Sequence, residues 1–182
     1  MIVIAERLKR TVNLKSVLVT LLGSMVIAIS APFTIFLPFS MVPITLQMNV
    51  AFLVAYLLGP KRGVFAVGLF LMQGLMGLAV FAGGTFGVAG LIGPRGGYIL
   101  GYFIASFVIS SFNPKRLMDY FKMYSLATLT VYFFGFMWLS TFIGFYKAFL
   151  FGILPFVVGD FIKIICIAKL SSRALARIRD SS

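Results

Sequence analysis

Long apolar runs dominate this chain, and polar residues break them only briefly. No charged residue occurs between Ser16 and Pro60, nor between Gly63 and Pro94. Crossing a bilayer core takes about 20 apolar residues, and no soluble core needs runs of this length. The runs are continuous rather than alternating, which predicts helices and argues against a β-barrel. The expected fold is an all-α integral membrane protein. It is a compact bundle of six transmembrane helices with a glycine-rich outer loop, in one membrane domain over residues 1–182.

The six spans are placed at about 17–35, 43–58, 63–80, 97–112, 123–142 and 148–170. Pro32 should kink or thin the outer end of the first span. Pro43 should sit near the first turn of the second, where its missing N–H costs little. Pro155 and Gly159 interrupt the last run. This predicts a short apolar segment ending near Val158, then a helix beginning near Asp160 whose carboxylate caps its first turn.

Positive charge supports the same map. Arg7, Lys9, Arg10 and Lys15 precede the first span, and Lys61 and Arg62 join the second to the third. Lys115, Arg116 and Lys122 join the fourth to the fifth, and Lys169, Arg173, Arg177 and Arg179 follow the last. All thirteen fall on one side, against Arg95 and Lys147 on the other. The positive-inside rule then predicts a multi-pass protein of the bacterial cytoplasmic (inner) membrane with both termini cytoplasmic. The net charge of +12 is thus an orientation signal, and nucleic acid is not expected as a partner. The basic start, with Ala28-Ile29-Ser30 beyond it, has signal-peptide features. The apolar run is too long for an h-region, so a retained first helix is expected.

Chemistry-bearing residues are few. The chain has four carboxylates and no histidine. Glu6 and Asp180 lie in the tails and Asp119 in a basic linker, which leaves Asp160 alone inside the apolar sequence. A charge at bilayer depth costs about 2.5–3.5 kcal/mol on insertion scales and marks a functional site by default. Lys163 follows at i+3, on the same helix face. The pair reads as an acceptor and a donor facing a ligand, with a structural ion pair as the competing reading.

The outer segment Phe81–Tyr98 has seven glycines in eighteen residues, with Gly83 and Gly84 adjacent. It makes a poor helix, and its apolar character suggests that it dips into the protein and offers backbone groups to a ligand. Arg95, its single charge, could clamp a carboxylate or anchor at the interface. Gln47 and Asn49, early in the second span, suit hydrogen bonds across helices or a pocket wall. Gly23, Ser24 and Ala28 give the first helix a small-residue face for close packing, within the protein or against a membrane partner. Phe133, Phe134, Phe136 and Met137 read as lipid-facing or core residues.

Several classes are excluded. There is no GxxxxGK[ST] phosphate loop, so this chain carries no ATPase site of that kind. Without histidine there is no Ser–His dyad and no HExxH zinc site, and one intramembrane carboxylate cannot form an aspartyl-protease pair. Cys166 stands alone, which rules out an intramolecular disulfide. An enzyme is not expected, and no cofactor or metal is called for.

Five segments in order carry a family resemblance. They are Val42-Pro-Ile-Thr-Leu-Gln47, Leu58-Gly-Pro-Lys-Arg-Gly63, Phe81-Ala-Gly-Gly84, Gly93-Pro-Arg-Gly-Gly-Tyr98 and Leu154-Pro-Phe-Val-Val-Gly-Asp-Phe-Ile-Lys163. Together they resemble BioY, the biotin-specific substrate-binding (S) component of energy-coupling factor (ECF) transporters, over about residues 17–170. The resemblance implies a six-helix membrane protein that binds biotin near its outer face. It also implies a transmembrane coupling subunit and ATPase subunits as partners, beside membrane lipid.

In that family the Asp and Lys of the last motif belong to the biotin site, as does the glycine-rich loop. This points to Asp160, Lys163, Gly83, Gly84, Arg95 and Tyr98 as ligand-binding residues. Two positions depart from the family pattern: Arg95 stands where Thr is usual, and Val158 where Pro is usual. Biotin's ureido N–H groups suit Asp160, its carboxylate or carbonyl suits Lys163 or Arg95, and its rings suit apolar walls. The alternatives are an S component for another small vitamin, or an ion-coupled secondary transporter using Asp160.

Overall fold

The structure is a computed structural model that describes residues 14–180. Arg7, Lys9 and Arg10 of the basic start lie outside the described residues. Helix α1 (Leu14–Ile29) leads to a short antiparallel pair, β1 (Thr34–Ile35) and β2 (Ile44–Thr45). Helix α2 (Gln47–Leu75) follows, then a 3-10 turn at Ala82–Gly84, then α3 (Gly87–Ile92), α4 (Gly96–Ser110) and α5 (Leu117–Ile143). The last two helices are α6 (Phe145–Gly152) and α7 (Leu154–Asp180).

Helix α2 is two helices in one trace. At Gly59 the backbone turns to φ +78°, ψ −179°, a conformation open to glycine, and Pro60 starts the second arm without needing an N–H donor. The arms, 47–58 and 60–75, lie back to back, since a Cβ built on Gly63 would stand only 2.7 Å from the Ala55 Cα. Counting the arms separately, taking α6 with α7 as one interrupted span and setting aside the six-residue α3 gives the six expected helical segments. Leu117–Ile143 and Phe145–Arg173 are each long and apolar enough to cross a membrane; Gln47–Leu75 also has that length, but folded in two.

Packing follows the small residues. Gly23 and Ser24 on α1 are buried, with a Cβ at Gly23 meeting Leu58, Val54 and Ala66 from both arms of α2. The small face of α1 is therefore used inside the molecule at these two positions, and Ala28 packs against the same core. Helix α4 lies between α2 and α5, and α5 also carries α6 and α7. Tyr124, Phe52 and Phe70 are among the largest fully buried side chains of the core. Large apolar residues elsewhere point outward, among them Leu22, Phe65, Leu129, Phe133 and Ile162.

Three local expectations are corrected. The first helix ends at Ile29 rather than near 35, because a turn at Ser30–Pro32 follows and proline disfavours helix in the residue before it. Pro43 is not in a helical turn. The residues after it, Ile44 and Thr45, are β-branched and form β2, and the helix starts only at Gln47. Helix α7 begins at Leu154, not near Asp160, since Pro155 fits the first turn, where no N–H partner is lost. Asp160 therefore lies in the second turn and caps nothing, while Gly159 is simply helix interior.

These contacts predict opposite effects for two glycines. Gly63→Ala should destabilise the protein by about 1–3 kcal/mol, because the new methyl meets Ala55 backbone that cannot step aside. At Gly159 a Cβ meets nothing within 4 Å among the described residues, so Gly159→Ala should stabilise by up to about 1 kcal/mol. Thermal unfolding of the detergent-solubilised variants measures both signs.

Candidate ligand-binding site

The site begins with a carboxylate on an apolar helix. Asp160 is 5 % exposed, so each of its oxygens needs a partner. Oδ1 accepts a bond from the Lys163 ammonium at 2.9 Å, one helical turn on. Oδ2 accepts the Tyr132 hydroxyl from α5 at 2.5 Å. The Lys163 ammonium also donates to the Thr45 carbonyl of β2 at 3.0 Å. An ammonium has three donors. Two are spent here, which leaves one for an incoming acceptor.

A cavity opens beside this cluster. Its polar lining comes from Thr45, Gln47, Arg95, Tyr132, Asp160 and Lys163. Its apolar walls come from Val42, Pro43, Met48, Ile99, Val131 and Phe156, with Tyr98 and Tyr102 between. The cavity holds about 50 Å³. Pockets for drug-sized ligands run to roughly 300–1,000 Å³, so these walls must part to admit one.

Side chains tie the surrounding loops to the helices. Gln47 is fully buried and its Nε2 donates to the carbonyls of Ile27 (3.1 Å) and Val80 (2.7 Å). It holds the ends of two other segments over the cavity, so it serves as interhelical glue while also lining the pocket. Asn49 is buried too, but neither of its amide atoms has a hydrogen-bond partner among the described residues. Ser40 donates to the Phe151 carbonyl at 2.7 Å and accepts from the Val42 N–H at 3.1 Å, which joins the loop after α1 to α6. Trp138 donates to the Gly93 carbonyl at 3.0 Å.

Arg95 bridges the two loops beside the cavity. Its Nε donates to the Met41 carbonyl at 3.2 Å and its Nη1 to the Ala82 carbonyl at 3.3 Å. Its guanidinium carbon lies 5.6 Å from the centre of the Phe36 ring. Burial draws its pKa below the usual guanidinium value, since desolvation disfavours the charged form.

Asp160, Lys163, Arg95 and Tyr98, four of the six expected site residues, meet at the cavity. Tyr98 presents its ring, because its hydroxyl is spent on the Gly152 carbonyl at 2.8 Å. Gly83 and Gly84 are exposed and do not line the cavity; they form the tight turn beside it, both at positive φ. Their neighbours Ala82 and Thr85 line it instead. The two ends of the glycine-rich segment dip inward, with Gly96, Gly97 and Tyr98 buried at the far end, and its middle does not. Phe81 is fully buried, edge-on to Phe70 at 5.6 Å, whereas Phe86, Val88 and Ile92 are exposed. Val158 is 71 % exposed and points away from the site.

Tyr132, Thr45 and Tyr102 were not among the expected residues. Tyr132 stands 28 residues before Asp160 with no motif around it, so only a residue able to donate to a buried carboxylate, on the preceding helix, would have signalled it. Thr45 contributes a main-chain carbonyl, for which side-chain identity carries no signal.

The arrangement defines a membrane protein whose small, largely apolar cavity offers one paired acid and base. The sequence matches the BioY family over residues 6–180. A probable biotin transporter BioY of Pyrococcus horikoshii is 40% identical over 122 residues, covering 67% of this chain and 74% of that protein. The biotin transporter BioY of Thermotoga maritima is 36% identical over 142 residues, 75% of this chain and 83% of that protein. A crystal structure of the S-component for biotin from an ECF-type ABC transporter superposes with a TM-score of 0.81 at 29% identity. It covers 90% of this chain and 92% of its own. The chain belongs to the BioY family.

The cluster predicts an asymmetry in stability. Lys163→Met leaves Asp160 buried with Tyr132 alone, and stripping one partner from a buried pair costs about 3–5 kcal/mol. Asp160→Asn/Lys163→Met should regain most of that loss. Equal melting temperatures for the single and double variants would mean that water, not Lys163, satisfies the carboxylate.

Proposed function

We propose that this chain captures biotin with high affinity from the outer side of the membrane. It would serve uptake as the substrate-specific component of an ECF-type transporter, energised by a transmembrane coupling subunit and partner ATPase subunits. The observation that carries the reading is the Asp160–Lys163–Tyr132 cluster facing an aromatic cavity, in a chain of the BioY family. Biotin brings two ureido N–H donors, carbonyl and carboxylate acceptors and an apolar bicycle. The Asp160 oxygens have remaining lone pairs for N–H groups, and the third Lys163 donor suits a carbonyl or carboxylate oxygen. Val131, Ile99 and Phe156 would enclose the rings.

In this reading the chain is a transporter component and not an enzyme. It is one compact membrane domain, multi-pass in the bacterial cytoplasmic membrane, with outward apolar side chains meeting lipid. Lys61, Arg62, Lys115 and Arg116 would lie on the cytoplasmic side with both termini. Gly83, Gly84 and Arg95 belong to the site as the frame of its outer wall, with Gly83 and Gly84 setting the turn that presents Ala82 and Thr85. A proton-carrying role for Asp160 is less well supported, because its carboxylate is already held by a cation and a hydroxyl.

Calorimetric titration of the purified protein with biotin tests the proposal. Wild type should bind tightly. Asp160→Asn, Lys163→Met and Tyr132→Phe should each weaken binding, by about 10- to 100-fold for the charged pair, as expected when a charge-assisted hydrogen bond is lost. Folded wild type that does not bind biotin would redirect the search to other vitamins. Proton-driven uptake by the chain alone would instead favour an ion-coupled transporter.

Arg95 yields a separate kinetic expectation. It fastens the two loops over a cavity that must widen, so Arg95→Thr should speed biotin association and dissociation together. Stopped-flow quenching would show this. A slower dissociation in the variant would exclude the fastening role.

A further inference from the structure

At the start of α5, and about two turns beyond Asp160 on α7, lies a second cavity, of about 420 Å³. Its walls are Leu117 and Phe121 from the first turns of α5 and Ile165 and Ala168 from α7, all apolar. Two cations, Arg116 and Lys169, stand with them and are exposed. The groove is not a loosely packed seam. On the inner side of the same helix pair Tyr124 and Ser171 share a buried hydrogen bond of 2.7 Å, which fixes the spacing of the helices there. Phe121 is held edge-on against Phe161 at 5.8 Å, so the wall between groove and upper helix is set as well.

We infer that this groove binds one anionic phospholipid, with an acyl chain along the α5–α7 wall and the phosphate between Arg116 and Lys169. Three observations lead there. The cavity's size lies within the range of ligand pockets and its lining is hydrocarbon apart from the two cations. It sits at the end of the bundle where Lys115, Lys122 and Arg173 add further positive charge. Basic pockets between membrane helices at such an end take anionic head groups. Asp119 Oδ2 is held at the start of α5 by the main-chain N–H groups of Lys115 (3.1 Å) and Arg116 (3.0 Å), and its single negative charge is outnumbered by the cations around it. Nothing in this inference depends on what the outer cavity binds.

Native mass spectrometry of the full chain, with phosphatidylglycerol or phosphatidylcholine of identical acyl chains added to the detergent, tests it. Each basic residue near a membrane surface is worth about a factor of five for an anionic lipid, so the pair should favour phosphatidylglycerol by about twenty-five-fold. R116Q/K169Q should bring the two lipids close to parity, and R116E/K169E should make phosphatidylglycerol the poorer ligand. Both changes are on the surface and should leave elution profile and melting temperature unchanged. In the wild-type protein, raising the salt concentration should erode the preference without any substitution. Equal retention of both lipids by wild type would overturn the inference, as would an undiminished preference in R116Q/K169Q. Loss of co-purifying ATPase subunits in R116Q/K169Q, with the lipid preference intact, would also overturn it and assign the groove to a protein partner.

Discussion

A carboxylate buried on an apolar helix cannot stand alone, and the half of this molecule that holds the first cavity is arranged around that constraint. Asp160 needs donors from different directions. One comes from its own helix, at the i+3 spacing that puts Lys163 within 2.9 Å. The other must come from a neighbour, and α5 supplies it through Tyr132. Lys163 is then itself a partly buried cation with donors to satisfy, and the Thr45 carbonyl answers one of them. That last bond carries the network to β2. Three stretches distant in sequence, β2 with the start of α2, α5 and α7, are thereby brought to one small cavity.

The cap over the cavity obeys a related rule. Irregular backbone at membrane depth persists only where its polar groups find partners inside the protein. Here side-chain donors do this for main-chain carbonyls: Gln47 for Ile27 and Val80, Arg95 for Met41 and Ala82, Trp138 for Gly93 and Ser40 for Phe151. Each such bond contributes about 0.5–1.5 kcal/mol net. None would be worth much alone, yet together they keep a non-helical cap in one arrangement. The bonds made by Gln47 are buried and those of Arg95 lie nearer the surface, so the cap is firmest where it meets the helices and loosest at its rim.

Hydropathy made the helices legible because burial in lipid leaves a signal at almost every position. The spacing of Asp160 and Lys163 was legible because both partners sit on one helix, where geometry is fixed by sequence separation. Partners that depend on how helices meet were not. Tyr132 looks like any aromatic residue on an apolar helix until α5 and α7 are placed side by side. The start of α7 was misjudged because Pro155 and Gly159 are both breakers by propensity, while only position decides whether a proline opens a helix or ends one. Gly83 and Gly84 were expected in the cavity as flexible backbone, and they stand outside it as the turn that aims Ala82 and Thr85 inward. The small face of α1 suited an inner or an outer neighbour equally, and only the fold of α2 at Gly59 shows that Gly23 is taken up internally.

The two cavities share the same pair of helices, and this limits how α5 and α7 can move. Residues 160 and 171 are eleven apart on α7, about 16.5 Å along a helix. Within that length α7 is joined to α5 at Asp160–Tyr132 and again below at Ser171–Tyr124. Two ties on one helix pair forbid a simple hinge between them. A shift that widens the first cavity has to slide α7 along α5, tilt both helices as a unit, or leave them and α4 fixed and move the loop segments 41–45 and 82 instead. The third course breaks the fewest buried bonds. Lys163 to Thr45 and the two bonds of Arg95 are the links it would release, and all three end on main-chain carbonyls of the segments 41–45 and 82. Ligand entry is therefore most cheaply achieved by loosening the loops from a fixed α5–α7 wall, with the acid and its partners already in place upon it.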